Sequence, residues 1–248
     1  MNTLLLLSNG GNGADNFVVE GAGVVARIPF GHFGIEYLYL TESVMVQWLV
    51  IILLGTLFFV LGRNLKVNPT NRRQVIAETI VTTFDNMVND SMGLKYFRYQ
   101  PYIAALFFFS MGLSFTAFLG LFPPTADISV IGGWGIMTFV LVQFTRFKTG
   151  GLLRGLRSYV VPTPLNIVSE VANPLSLTFR HYGNILAGLI IGGLIFWALR
   201  QAIVLPLIIP MIPALYFDMF LGLLQAFVFT TLSMVYISGA DCSPDADA

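Results

Sequence analysis

The chain reads as an all-α membrane protein with about five transmembrane helices and one amphipathic helix on the membrane surface. The first observation is composition. Of 248 residues, 56% are hydrophobic, 22 are Phe and only 10% are charged, against about one charged residue in four for soluble proteins. A soluble domain of this size has too little interior to hide so much apolar surface. The second is run length. Residues 43–62, 99–126 and 219–240 contain no Asp, Glu, Lys or Arg, and roughly 17–25 apolar residues span a hydrocarbon core of roughly 30 Å. The third is residues 71–92, where polar and apolar residues alternate with helical period.

Other classes drop out quickly. The formal net charge is zero, so nucleic acid is not an expected partner. The single cysteine, Cys242, permits neither a disulfide framework nor a thiolate cluster. His32 and His181 leave little material for a metal site, and no cofactor is expected. The start, Met1-Asn2-Thr3 followed by four leucines, has no basic residue before its short apolar run and does not read as a cleavable signal peptide.

Residues 1–40 are Gly-rich and mildly polar, with Asp15, Glu20, Arg27 and Glu36. They read as an exposed lead-in, partly ordered at best, ahead of one integral membrane domain over 41–240. The first span is 43–62, ended by Arg63 and Lys66. In 71–92, Val75, Ile76, Ile80, Val81, Phe84, Met87 and Val88 recur at helical spacing between Arg72, Arg73, Glu78 and Asp85. That pattern is an amphipathic helix, and after a membrane span it is expected to lie along the surface. Packing on a partner outside the membrane is the other reading.

The second span, 102–122, stops at Pro123-Pro124. The third, 128–145, is followed by Arg146, Lys148, Arg154 and Arg157. Two long apolar segments close the chain, spans 161–199 and 203–239. Each makes ~50–60 Å of helix at 1.5 Å per residue, too long for one upright crossing. Each must tilt strongly or break, and Pro174, Pro206, Pro210 and Pro213 offer places to bend. With the N-terminus outside, Arg63, Lys66, Arg72, Arg73, Lys95 and Arg98 share one inner loop and the four basic residues after the third span share the next. That satisfies the positive-inside rule. It puts the acidic tail, 241–248, in the cytoplasm.

Arg180 has nowhere to go but the membrane. An arginine there costs at least ~2.5–3.5 kcal/mol and cannot deprotonate, its pKa being above about 12. It is expected to face protein or water and to meet an acid. A permanent ion pair that fixes helix packing is the structural alternative. Asn184 lies one turn on, on the same side. Gly183, Ala187, Gly188 and Gly192 are small and allow another backbone close; static packing inside the chain would use them equally well. Glu170 is ten residues before Arg180, about 15 Å along a helix. Asp218, Gln225 and Tyr236 share a stripe with Gly222 and Phe229. Acids and amides at spaced depths around one fixed cation point to a proton or cation path. Asp127 reads as a helix N-cap, with a minor role at an outer channel mouth. His181, next to Arg180, points another way and reads as packing or polar bridging. No phosphate loop, HExxH, GxSxG or CxxC occurs, so no catalytic nucleotide site is expected in this chain.

These residues resemble a known family. NPLSLTFRHYGNILAG (173–188), LLQAFVFTTLSMVYIS (223–238), GLFPPTADISV (120–130) and LTESVMVQWLVIILL (40–54) look like subunit a of the bacterial F-type ATP synthase, in that family's order. The resemblance implies a stator channel in the cell membrane whose two long, tilted last helices cradle a rotor ring of subunit c. It implies subunit b of the peripheral stalk, the other synthase subunits and the lipid bilayer as partners. Two half-channels would pass protons, or alternatively sodium, to a rotor carboxylate. Arg180 would stand between them, favouring the ionised rotor carboxylate and blocking leakage. Gly183, Ala187, Gly188 and Gly192 would face the rotor. Asp218 and Gln225 would belong to the outer half-channel and Glu170 to the inner. Some positions depart from the family. Leu189 stands where many bacterial members carry Glu and mitochondrial members often carry His, which leaves Asp218, then Glu170, to supply the acid. His181-Tyr182 replaces the commoner Leu-Phe, and Thr116 a common Asn. A secondary transporter with Arg180 as an anion site is the competing reading. It calls for two related halves, and the sequence has no internal repeat.

Overall fold

A two-stranded antiparallel hairpin comes first, β1 (Val24–His32) against β2 (Ile35–Thr41), with Arg27 opposite Tyr39 and Ile28 opposite Leu38. The computed structural model describes residues 23–32, 35–63, 65, 72–119, 121–157, 165–199, 209 and 211–241. The hairpin is the described part of the lead-in expected over 1–40, and Val24 and Val25 on it are exposed. Its signal was the cluster of aromatic and aliphatic residues Tyr37-Leu38-Tyr39-Leu40 and the pair Val24-Val25, types that suit a pleated surface. The Glu42 amide donates to the Gly23 carbonyl at 2.9 Å, so α1 (Glu42–Gly62) starts where the hairpin closes.

α2 (Arg72–Met92) is the amphipathic helix. Its apolar residues divide. Phe84, Val88 and Met92, spaced by four, are buried, while Val75, Ile76 and Val81 are about half exposed. Gly93, at φ 82° and ψ 164°, ends the helix in a conformation that a side chain disfavours. A 3-10 turn, Leu94–Tyr99, leads into α3 (Gln100–Phe118). A second short 3-10 turn, Pro124–Ala126, precedes α4 (Ile128–Arg157), which bends at Gly151, φ 67°. The expected third span, 128–145, is thus the first part of a longer helix.

α5 (Leu165–Leu199) is one helix of 35 residues that runs through Pro174 without a break. Of the two ways to fit the overlong fourth segment, the chain does not break there. Beyond it come α6 (Met211–Ala214), a π-helical stretch Leu215–Leu221 and α7 (Gly222–Gly239). Pro206 and Pro210 lie outside the described residues, as do His32's side chain, Cys242 and most of the tail. Among the described residues, four helical stretches are long and apolar enough to cross a membrane: Glu42–Gly62, Ile128–Gly151, Val168–Leu199 and Leu215–Gly239. α3 forms where the second span was expected but is not among the four. It opens on Gln100-Pro101-Tyr102 and carries the buried Ser110, Ser114 and Thr116.

The chain divides into two compact units. In the first (residues 1–52, 110–130 and 181–225), Gly222 lies against Ser114, where an added Cβ would come within 2.7 Å of the serine Cβ. The second (residues 53–109, 131–180 and 226–248) holds the main core: Phe84, Val88, Met92, Tyr96, Ile103, Val142, Met234, Ile237 and Ala240. The Phe84 ring stands 5.5 and 5.4 Å from those of Phe107 and Phe108. Two hydroxyl pairs join α3 and its lead-in to α4, Tyr99 with Thr145 at 2.7 Å and Tyr102 with Thr138 at 3.2 Å. Lys95 Nζ donates to Asp241 Oδ2 at 2.6 Å, with the lysine side chain half exposed. Exposed pairs contribute about 0–1 kcal/mol, so Asp241→Asn is expected to leave thermal unfolding of the solubilised protein almost unchanged; a large fall in midpoint would contradict this.

Candidate functional site

The polar residues singled out from the sequence fall into two groups. In the first unit, Asn184 on α5 donates its amide to Gln225 Oε1 on α7 at 3.3 Å. Gln225 is 1% exposed, so the bond stands out of water, where an amide needs its partner most. Gly188, one turn after Asn184, makes the helix contact possible. A Cβ there would come within 2.7 Å of the Phe217 Cβ. Gly188 therefore packs against Phe217 inside the chain. Gly183 and Gly192 meet nothing within 4 Å of an added Cβ, and Ala187 is half buried.

Arg180 lies one turn before Asn184 on α5 and is exposed, as are Phe179 and Gly183 beside it. Among the described residues it makes no ion pair: the two present are Lys95 with Asp241 and Arg146 with Glu170. The expected meeting with an acid is absent for Glu170, which pairs elsewhere. The Asp218 side chain lies outside the described ones; its backbone belongs to the π-helical stretch. Such stretches are uncommon and often stand at functional positions. On the α-helix that follows, Gly222, Gln225 and Phe229 recur at helical spacing and are all buried. His181 is fully buried, turned about 100° from Arg180 around the helix, in line with a packing role. Asp127 accepts from the Ser129 amide at 3.0 Å, the N-cap geometry expected for α4.

The second group is in the other unit and includes a residue the sequence reading passed over. Arg146 Nη2 donates to Glu170 Oε1, and Gln143 Nε2 donates to Glu170 Oε2 at 3.2 Å. The arginine side chain is 7% exposed and the glutamate 18%. Arg146 is expected, with Lys148, Arg154 and Arg157, in the loop after the third span. It lies inside α4 instead, because nothing between Ile136 and Thr149 stops the helix. The absence of Gly and Pro over that stretch was the available signal. Glu170 and Tyr236 both line a cleft of about 250 Å³, with Thr138, Asn173 and Pro174 among its other walls. So Tyr236, expected on the stripe of Gln225, is found beside Glu170.

The profile of the family described as ATP synthase A chain matches residues 44–238. Among curated relatives, "ATP synthase subunit a" of Moorella thermoacetica is 30% identical over 219 residues, covering 86% of this chain and 96% of that protein. "ATP synthase subunit a, sodium ion specific" of Propionigenium modestum is 32% identical over 220 residues, covering 81% of this chain and 74% of that one. "ATP synthase subunit a 1" of Crocosphaera subtropica is 30% identical over 212 residues, with 82% and 88% covered.

Proposed function

The chain belongs to the ATP synthase A chain family, and from that premise we propose that it is the ion-translocating stator channel of an F-type ATP synthase, with Arg180 as its fixed charge. It is a multi-pass membrane protein, a non-catalytic subunit of the synthase complex. The observation that carries the role of Arg180 is its exposure with no ion pair among the described residues, on a helix long enough to span the membrane. A guanidinium at that position does not face lipid, where it costs several kcal/mol. Water or a partner protein must cover it, and the open Gly183 beside it lets a second helix come close. The partner is the rotor ring of c subunits, whose carboxylate exchanges its ion through two half-channels. Arg180 favours the ionised form of that carboxylate and keeps the half-channels apart.

Asn184 and Gln225 belong to the half-channel on the outer side, with Asp218 as its acid. Glu170 belongs to the inner one. This order follows the orientation with the N-terminus outside and the C-terminus in the cytoplasm of a bacterium. The half-exposed Val75, Ile76 and Val81 of α2 suit a helix lying in the membrane surface. Subunit b and the remaining synthase subunits complete the assembly. The carried ion is the proton, with sodium as the alternative, and the rotor's own site makes that choice. No nucleotide chemistry resides in this chain.

The rotor-facing side of α5 is tested by cross-linking. In the whole complex, Gly183→Cys is expected to form a disulfide with a cysteine placed at mid-helix on subunit c, and ATP hydrolysis coupled to rotation stops until the bond is reduced. Gly188→Cys is expected to form none, because its side faces Phe217. A cross-link from position 188 and none from 183 would reverse the assignment.

A further inference from the structure

We infer that the groove between the end of α1 and the first half of α2 is a binding site for an anionic phospholipid, with an acyl chain in the groove and the phosphate held by Arg63 and Arg73. The inference needs α1 to span the membrane and α2 to lie at its surface; it does not depend on the channel mechanism. The groove has a volume of about 330 Å³ and lies within one compact unit. Phe58, Gly62 and Leu65 form one wall, and Ala77 and Val81 belong to the other. Both walls are tied to the fold. The Phe58 ring meets Phe108 of α3 edge-on at 5.0 Å, and Ile80 of α2 packs against the main core. The mouth is open, with Leu65 56% and Val81 49% exposed. An apolar hollow of this kind at a membrane surface is filled by something apolar.

The charges beside the groove say which apolar molecule fits. Arg63 follows Gly62 directly, and Arg73 stands one turn before Ala77 on the same side of α2. Both are exposed, and neither belongs to an ion pair among the described residues. Glu78 is the acid on the groove wall, and its Oε1 accepts from Gln74 Nε2 at 2.7 Å. Two cations against one acid leave a positive rim, which suits a phosphodiester at the end of an apolar chain. A free phosphate would leave the groove empty. A helix is about 10–12 Å across with its side chains and is wide for this space, whereas a single acyl chain is thin enough to enter. The chain gains little by leaving the bilayer, since lipid is as apolar as the groove. Selection therefore falls to the headgroup, and each arginine near the surface gives about a fivefold preference for an anionic lipid.

The test is photolabelling of the whole complex in phosphatidylcholine liposomes that carry, as a minor component, phosphatidylglycerol with a diazirine in its acyl chain. Label is expected within residues 58–65 and 77–82 of this chain, and unlabelled phosphatidylglycerol is expected to compete it away where phosphatidylcholine with the same chains does not. Arg63→Gln and Arg73→Gln are each expected to cut the labelling about fivefold. Arg72→Gln makes the same change of charge on another side of α2, about 100° away, and is expected to leave labelling almost unchanged. Glu78→Gln removes the opposing charge and is expected to raise it. Gly62→Leu fills the groove and is expected to remove the label there; an added Cβ at Gly62 meets nothing within 4 Å, so α1 itself is not disturbed. Equal competition by phosphatidylcholine would make the lipid an ordinary neighbour and overturn the proposal. So would an equal loss in the Arg72 and Arg73 variants, which marks diffuse attraction without a site. A photoactivatable maleimide on Gly62→Cys that captures another subunit of the complex would show protein in the groove and overturn it too. Should the variants fail to assemble, the competition in the wild type decides alone. Labelling is expected to persist in Arg180→Ala, so failure of the channel mechanism and failure of the lipid site are told apart.

Discussion

Arg180→Ala is expected to abolish ATP-driven ion pumping by the whole complex in proteoliposomes while leaving the complex assembled and nucleotide bound. The two halves of that expectation have separate reasons. Pumping stops because the substitution removes a charge that cannot be titrated away at any working pH. On the proposed channel mechanism, the rotor carboxylate then loses the partner that keeps it ionised at the crossing point, and the two half-channels lose the barrier between them. Assembly survives because Arg180 is exposed and makes no ion pair among the described residues, so its loss strands no buried acid there. The other reading of an intramembrane arginine, a permanent pair that holds helices together, predicts the opposite: poor assembly, with the surviving complex still coupled. Collapse of a dye-reported gradient with wild-type subunit content supports the channel charge. Full pumping in the variant contradicts it. Repeating the wild-type assay with and without sodium, and with a protonophore, names the ion.

Phe229→Ala is expected to destabilise the chain by about 3–5 kcal/mol, the cost of emptying a fully buried aromatic site. Phe229 is 0% exposed, and its ring meets Trp134 edge-on at 6.1 Å and 75°. Between membrane helices the loss is mainly packing, since lipid is as apolar as the ring. It falls on α7, one turn after the Asn184–Gln225 bond, so both stability and ion flux should drop. Phe227→Ala is the control. That residue is 50% exposed, and its truncation should shift the midpoint little. Equal midpoints for the two variants in thermal unfolding of the solubilised complex would show that α7 is not packed as described.

Much of this was legible in the sequence for a simple reason. Membrane helices must satisfy their backbone internally, so long charge-free runs leave almost no alternative to helix. Arg180 stood out by the same physics, because a charge in such a run has to be explained. The hairpin was less legible. Its strands are short, follow a Gly-rich start and carry a weaker period than a span. The extent of α4 was readable from its lack of breakers, but the basic residues after Thr145 looked like a loop, and Arg146 went with them.

Direction was the part that could not be read. Gly183 and Gly188 are equally small and almost adjacent, yet one is open and the other lies against Phe217. The four- and three-residue spacings that define a helix face do not say which face meets protein. Nor did spacing show that Glu170 would pair with Arg146, 24 residues earlier. The sequence by itself determined the class, most of the helices and an intramembrane charge, Arg180, that calls for an explanation, since each follows from the cost of placing a residue in hydrocarbon. Only the tertiary structure decided which polar groups pair and which stay open, because that depends on helix rotation, and rotation is set by packing between segments far apart in the chain.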